Sequence, residues 1–296
     1  MRMLDKLVKS LLTNDRLSRL GLRVETQEDI DRLDPVIEFL CEPAHRLTMP
    51  EPQPAIKNIP DWYKRVPKHM DDGPGSRDQF GAPAMTAKAC LPLLDGMGLG
   101  YTLYSAGDIT VRTDPDGKHM EVISGPAFGA ASQHNAGQLG SAVPTYPTPA
   151  LKFHNPWVIK TRRGYSTLFI PPLNALEETR FRCLGAVVDT DTYPKQVNFP
   201  ALWFPRGQTV QIPAGTPLVT AIPFKRADVP REVLIRTMHE AERQAIMAME
   251  RVQGSRSHMY THELREDRKT GKAPERLSSI EPGRCPVMHM AKGGEA

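Results

Sequence analysis

Two carboxylates in this chain, Asp189 and Asp191, are spaced to share one side of an extended strand, with Tyr193 two residues further on. Such a pair, with a third ligand, could hold a divalent cation. The pair also precedes Pro194, where aspartates serve as turn formers, and that reading carries more weight. His258 and His262 have the i, i+4 spacing of helical metal ligands. They lack the glutamate that a zincin places after its first histidine, so a solvated helix face is favoured. Cys285-Pro286 and His289 offer a thiolate and an imidazole that can ligate haem iron, too few groups to define a site, and no metal site is expected. Tyr101, Trp157, Tyr165 and Trp203 are candidates to line a pocket for a small ligand. Trp62 and Tyr63 fit a short helical turn anchored in a core better than a binding surface.

The elements that must position these groups are mostly strands. In residues 184–226 four apolar runs, 185–188, 197–204, 209–212 and 217–224, are separated by Asp-, Pro- and Gly-containing breaks, the pattern of closely spaced antiparallel strands. Upstream, the alternation around Tyr101, Leu103 and Tyr104 and then Ile109 and Val111 predicts two strands or one bent strand. Asp116-Gly117 predicts a hairpin between 109–113 and 119–123. Residues 153–161 and 164–170 read as a strand pair turned by Arg162, Arg163 and Gly164, and 124–150 as irregular. Residues 85–94 predict a short helix ended by Gly96 and Gly98.

Both ends differ in character. Leu4, Leu7, Val8, Leu11 and Leu12 recur at helical spacing opposite Asp5, Lys6 and Lys9, and a second helix over 27–39 would be bent by Pro35. Beyond the strands, Asp228 and Pro230 make a helix start. Val233, Leu234, Met238, Ala241, Ala245, Ile246, Met249 and Val252 form its apolar stripe, a charged second helix follows, and 271–296 has a disordered composition. The expected organisation is a helical arm and Pro-rich linker over 1–84, a β domain over 85–226, a helical extension over 227–270 and a tail over 271–296.

Composition bounds the function. The 296 residues carry 38 basic and 34 acidic side chains, a net charge of +4 that gives no support for a nucleic-acid partner. The 28 prolines suit edge strands and turns. Four scattered cysteines without CxxC spacing suit a reduced, cytoplasmic chain, and no integral membrane segment is expected.

The segments GYTLYSAGDITV, GYSTLFIPPLNAL, GAVVDTDTY and IPAGTPLVTAIPF occur in an order that resembles the successive motifs of deoxyuridine triphosphate diphosphatases (dUTPases). The third is the best match to that family's Gly-Val-Ile-Asp-x-Asp-Tyr pattern, through Gly185, Val188, Asp189, Asp191 and Tyr193, with Thr192 inserted. The resemblance implies a dUTPase-like, β-clip-like antiparallel core, Asp189 as the water-activating base, Tyr193 as the sugar discriminator, and Mg²⁺ as the cofactor of such an enzyme. The polyphosphate grip is altered. Thr102 stands for an aspartate, Pro171-Pro172-Leu173-Asn174 for Pro-Arg-Ser-Gly, and Gly215-Thr216-Pro217-Leu218-Val219-Thr220 for Gly-Asp-Arg-Ile-Ala-Gln. Together IPDWYKR, NPWVIKTRRGYSTLFIPP, GAVVDTDTYPKQVNFP and IPAGTPLVTAIPFKR are also similar to an uncharacterised family of tailed-phage and bacterial proteins.

The expectation is therefore a mainly β protein with N- and C-terminal helical extensions, leaning away from catalysis. It would be a non-catalytic scaffold for protein association, self-associating or binding a protein partner through its helical arms, in a phage-derived assembly, with no cofactor. The alternatives are a deoxynucleotide-binding or nucleotide-hydrolysing enzyme using Asp189 and Tyr193, and a binder of another small ligand in a pocket around Tyr101, Trp157, Tyr165 and Trp203. The ligand-binding residues expected across these readings are Tyr193, Asp191, Tyr101 and Trp157, and a phage-encoded chain would sit in the host cytoplasm or the virion.

Overall fold

A computed structural model describes residues 35–71, 75–77, 81, 83–125, 129–193 and 195–255. The helix expected from Leu4 to Leu12, the charged helix with His258 and His262, and the Cys285–His289 tail lie outside these residues. The structure divides into two compact units, one reaching Val229 and the other beginning at Pro230.

The first unit opens with strand β1 (Ile37–Leu40), the short helix α1 (Pro43–Arg46), strand β2 (Gln53–Pro54) and the single turn α2 (Asp61–Arg65). β1 corrects the helix expected over 27–39 at its described end. Ile37 to Leu40 pair antiparallel with a later strand, and cross-strand hydrogen bonds satisfy an apolar segment that a Pro35-broken helix could not. The helix expected over 85–94 is also displaced: a 3₁₀ turn at Ala87–Ala89 precedes α3 (Leu91–Met97). Pro92 lacks an N–H, so the helix places it in the first turn, where no donor is needed.

Strands then dominate: β3 (Tyr101–Tyr104), β4 (Ile109–Thr113), β5 (Met120–Ser124), β6 (Ala131–His134), β7 (Ala150–Phe153), β8 (Val158–Thr161) and β9 (Tyr165–Ile170). β10 (Phe181–Cys183), β11 (Ala186–Val188), β12 (Phe199–Trp203), β13 (Thr209–Ile212) and β14 (Pro217–Lys225) complete the series. All four apolar runs of 184–226 are strands, and the fold is mainly β and antiparallel as expected. The hairpin at Asp116-Gly117 joins β4 to β5 with Ile109 opposite Ser124 and Thr113 opposite Met120. Gly117 supplies the positive φ of 74° that this turn requires. β6, in the stretch expected to be irregular, is a strand because it finds β7 as its partner.

Chain neighbours are seldom sheet neighbours. The five-stranded sheet runs β11-β9-β14-β3-β2, the four-stranded sheet β10-β12-β7-β6, the three-stranded sheet β13-β4-β5, and β1 pairs β8. β8 and β9, expected to pair across Gly164, make the turn but join different sheets. β14 is the central strand of the five-stranded sheet, and Leu218, Val219 and Ala221 are buried in succession, as a strand covered on both faces demands. Its Pro223 lies past the last pair with β3, Ala221 opposite Tyr101, so the missing N–H costs no ladder bond on that side.

Side chains from these sheets meet in one core that includes Leu103, Val111, Phe153, Phe169, Phe199 and Trp203. A satellite cluster of Ile59, Tyr63 and Met97, with Trp62 against it, holds α2 on α3. In the second unit, residues 230–239 form no regular element and α4 spans Glu240–Ser255. The helix expected to start at Asp228 or Pro230 therefore starts about three turns later. The Glu242 carboxylate accepts the His239 backbone N–H at 2.9 Å, capping the first turn, and is gripped at 2.6 and 2.7 Å by both terminal nitrogens of Arg236. That hydrogen bonding, from Arg236 first and His239 second, holds the Glu242 carboxyl at about 2. Among the described residues no helix is long and apolar enough to cross a membrane.

Candidate functional site

Strand β11 ends at Val188, so the Asp189–Tyr193 segment is a turn rather than a continuing strand. The amides of Thr192 and Tyr193 donate to the Asp189 carbonyl at 3.0 Å. Alternation along a strand therefore cannot place the two carboxylates on one side. The turn does so instead, and brings both to Arg226 just after β14.

Asp191 has 2 % of its side chain exposed. Its Oδ2 accepts the Gly164 amide at 2.7 Å and Arg226 Nη2 at 2.6 Å, while Oδ1 accepts Nη1 at 3.0 Å, a two-pronged grip. The Arg226 guanidinium holds the Asp191 carboxyl down at about 2, with the Gly164 N–H assisting and burial opposing. Asp189, 60 % exposed, accepts the Ser166 hydroxyl at 2.6 Å and stands 3.3 Å from Arg226 Nη1. The Arg226 backbone N–H donates to the Gly164 carbonyl at 2.9 Å. Beneath the turn Thr190 is buried, its hydroxyl 2.8 Å from those of both Thr161 and Thr167. The turn thus ties the ends of β8, β9, β11 and β14 together.

A divalent cation fits this pair poorly. It would have to displace a guanidinium from a buried carboxylate whose oxygens already accept three charge-assisted or backbone bonds. Among the described residues no group of three or more His, Cys, Asp or Glu side chains is arranged to hold a metal.

The other sequence-derived candidates do not gather here. Tyr193 is exposed on the turn. Tyr101 packs edge-on against Phe39 at 5.4 Å. Trp157 is buried in the main core with its ring N–H directed to the Pro50 carbonyl at 3.3 Å, and Trp203 is wholly buried. Tyr165 starts β9 beside the arginine, its carbonyl accepting Arg226 Nη1 at 2.9 Å. Trp62 donates its ring N–H to the Asn174 carbonyl at 2.7 Å and so braces a loop.

That loop borders a groove of about 900 Å³, lined by 57–61, 64–65, 170–178, 180–183 and 216–218. The segments Pro171-Pro172-Leu173-Asn174 and Thr216-Pro217-Leu218 meet here, whereas Asp189 is not among the lining residues. Its charges are largely engaged with one another: Arg180 grips Glu178 at 2.6 and 2.9 Å, Lys64 pairs with Asp61 at 2.9 Å, and Arg65 stands 3.6 Å from Glu177. Arg226, Ser166 and Gly164 are the members of the Asp191 centre that sequence reading missed. Their signals, a basic residue closing the IPFKR strand and a turn glycine before GYSTLFI, are visible only once β9 and β14 are known to pair.

No family model and no curated protein matches the chain. Among solved structures it is similar to the dUTPase of Staphylococcus aureus phage phi11, at 11 % identity over 48 % of this chain and 84 % of that one, with a TM-score of 0.27. It is likewise similar to the dUTPase of staphylococcal phage 80alpha bound to dUpNHpp, at 8 % identity over 48 % and 77 %, with the same TM-score. At scores this low, what the chain does has to be read from its own side chains.

Proposed function

We propose that this protein is a self-associating β scaffold whose Asp189–Asp191 turn serves structure rather than hydrolysis. The observation that carries this reading is the segment following the first unit. Val233, Leu234 and Ile235 are 82, 82 and 88 % exposed in an irregular stretch, with Met238 also exposed. Three consecutive large apolar side chains left in water forfeit about 1.5 to 3 kcal/mol each of available burial energy. Association between copies recovers it. The helix expected from Asp228 or Pro230 onward begins only at Glu240, so these apolar side chains lie in a non-helical stretch ahead of it. The surroundings of Asp189 support the same reading: its carboxylate is open to water but already accepts the Ser166 hydroxyl beside Arg226, and it lies outside the lining of the groove where a substrate would be held.

The test is light scattering on the full chain beside a Val233→Ser/Leu234→Ser/Ile235→Ser variant. The expected result is an oligomer for the parent and a monomer for the triple variant, with unchanged circular dichroism. A monomeric parent across the micromolar range overturns the reading. So does magnesium-dependent stabilisation by deoxyuridine triphosphate that is lost in Asp189→Asn.

A further inference from the structure

Ser132 lies within β6, the terminal strand of the four-stranded sheet, and His154 immediately follows its partner β7. The Ser132 Oγ is 2.9 Å from His154 Nε2. The other ring nitrogen, Nδ1, makes a short hydrogen bond to the carbonyl oxygen of Gly129. A carbonyl oxygen can only accept, so Nδ1 carries a proton, and in the neutral imidazole Nε2 then holds the lone pair. In that form the Ser132 hydroxyl is the donor, and its proton points at a basic nitrogen.

Three further features separate this arrangement from a hydrogen bond that merely stiffens a sheet. His154 is held twice from the same segment, its ring by the Gly129 carbonyl and its main chain by the Ala130 carbonyl, which accepts the His154 backbone N–H at 2.9 Å. Ser132 and His154 are both half-buried rather than enclosed. Lys152 stands directly opposite Ser132 in the β6–β7 register, placing an ammonium-bearing side chain on the serine's face, where it favours developing negative charge. Nucleophile, base and a third group orienting the base are the parts of an activated serine.

We propose that Ser132 is a nucleophile and His154 its general base, directed at activated acyl esters. Ser132 Oγ forms a bond to the ester carbonyl carbon as its proton passes to His154 Nε2. The ester C–O bond then breaks, and the departing alcohol takes the proton from His154. Water, deprotonated by the same nitrogen, hydrolyses the acyl-serine to the carboxylic acid and restores the hydroxyl. This activity is separate from the scaffold reading, and either can fail without the other.

The experiment treats the full chain with a fluorophosphonate, in which the serine oxygen displaces fluoride from phosphorus and the proton leaves through His154, and maps adducts by peptide mass spectrometry. The expected result is one phosphonyl group, on Ser132, formed at least about 10²-fold more slowly in His154→Gln. Hydrolysis of p-nitrophenyl acetate should fall to the solution background in Ser132→Ala, a deletion of one oxygen whose melting curve should match the parent. Should His154→Gln fail to fold, the adduct position and Ser132→Ala decide alone. No adduct on Ser132, labelling at the parental rate in folded His154→Gln, or undiminished ester hydrolysis in Ser132→Ala each overturns the proposal.

Discussion

Asp189 and Asp191 are separated by one residue, but their surroundings give them different weights. Asp191 is enclosed and doubly bonded to a guanidinium that is 38 % exposed, while Asp189 is mostly in water. Replacing Asp191 by Ala leaves the Gly164 amide without its acceptor and removes the two-pronged partner of Arg226, whose Nη1 keeps the Tyr165 carbonyl and Asp189. Because Arg226 can rehydrate, the cost falls below that of a fully buried broken pair, about 2 kcal/mol, or about 5 °C in melting midpoint for a unit of this size. Asp189→Asn should cost less than about 1 kcal/mol. The pH dependence follows from the lowered carboxyl. A group whose folded pKa lies below its unfolded one stabilises fully above the ordinary carboxylate value of about 4. That stabilisation is lost as pH falls toward the folded value of about 2. Acid titration of the parent should therefore show a steeper loss between these limits than Asp191→Asn, in which Glu242 still titrates but Asp191 does not, and equal slopes would refute the assignment.

At the scale of elements, the approach of β3 to β14 depends on Gly100. Its φ of +79° is left-handed, and a Cβ there would stand 2.4 Å from the Ala221 carbonyl oxygen and 2.9 Å from an Ile222 side-chain carbon. The obstruction is backbone in the central strand, which cannot swing aside. Gly100→Ala should destabilise by about 2 kcal/mol or more, combining left-handed strain with displacement of the strand, and urea unfolding measures it. Parental stability in that variant would mean that β3 and β14 are not so closely apposed. The start of α4 shows the same dependence on local chemistry. Helical periodicity from Val233 onward is present in the sequence, but a helix needs a covered apolar face and a capped first turn, and only Glu242 with His239 supplies the cap.

For the whole molecule, exposed apolar side chains at 233–235 link stability to concentration. If copies cover these residues, the melting midpoint of the full chain should rise with protein concentration, and that of the triple serine variant should not. A concentration-independent midpoint in the parent would count against association. The core of the first unit is closed by its own strands: Phe153 from β7, Phe169 from β9, and Phe199 and Trp203 from β12 pack at 0 to 3 % exposure.

Strand positions were legible in the sequence because period-two alternation and Pro, Gly and Asp breaks are local signals. Thr209–Ile212 and the Asp116-Gly117 hairpin came out at their observed places for that reason. Partnership between strands was not, since β9 joins β14 across some fifty residues and nothing near Gly164 encodes that choice. The same limit governs the chemistry. Composition and spacing brought Asp189 and Asp191 forward as a pair, but the arginine that engages them is 35 residues from Asp191 and the histidine facing Ser132 is 22 residues away. Local sequence determines which residues can form strands and turns. Only the folded chain, by burying one set of side chains and leaving the other in water, determines which polar groups meet.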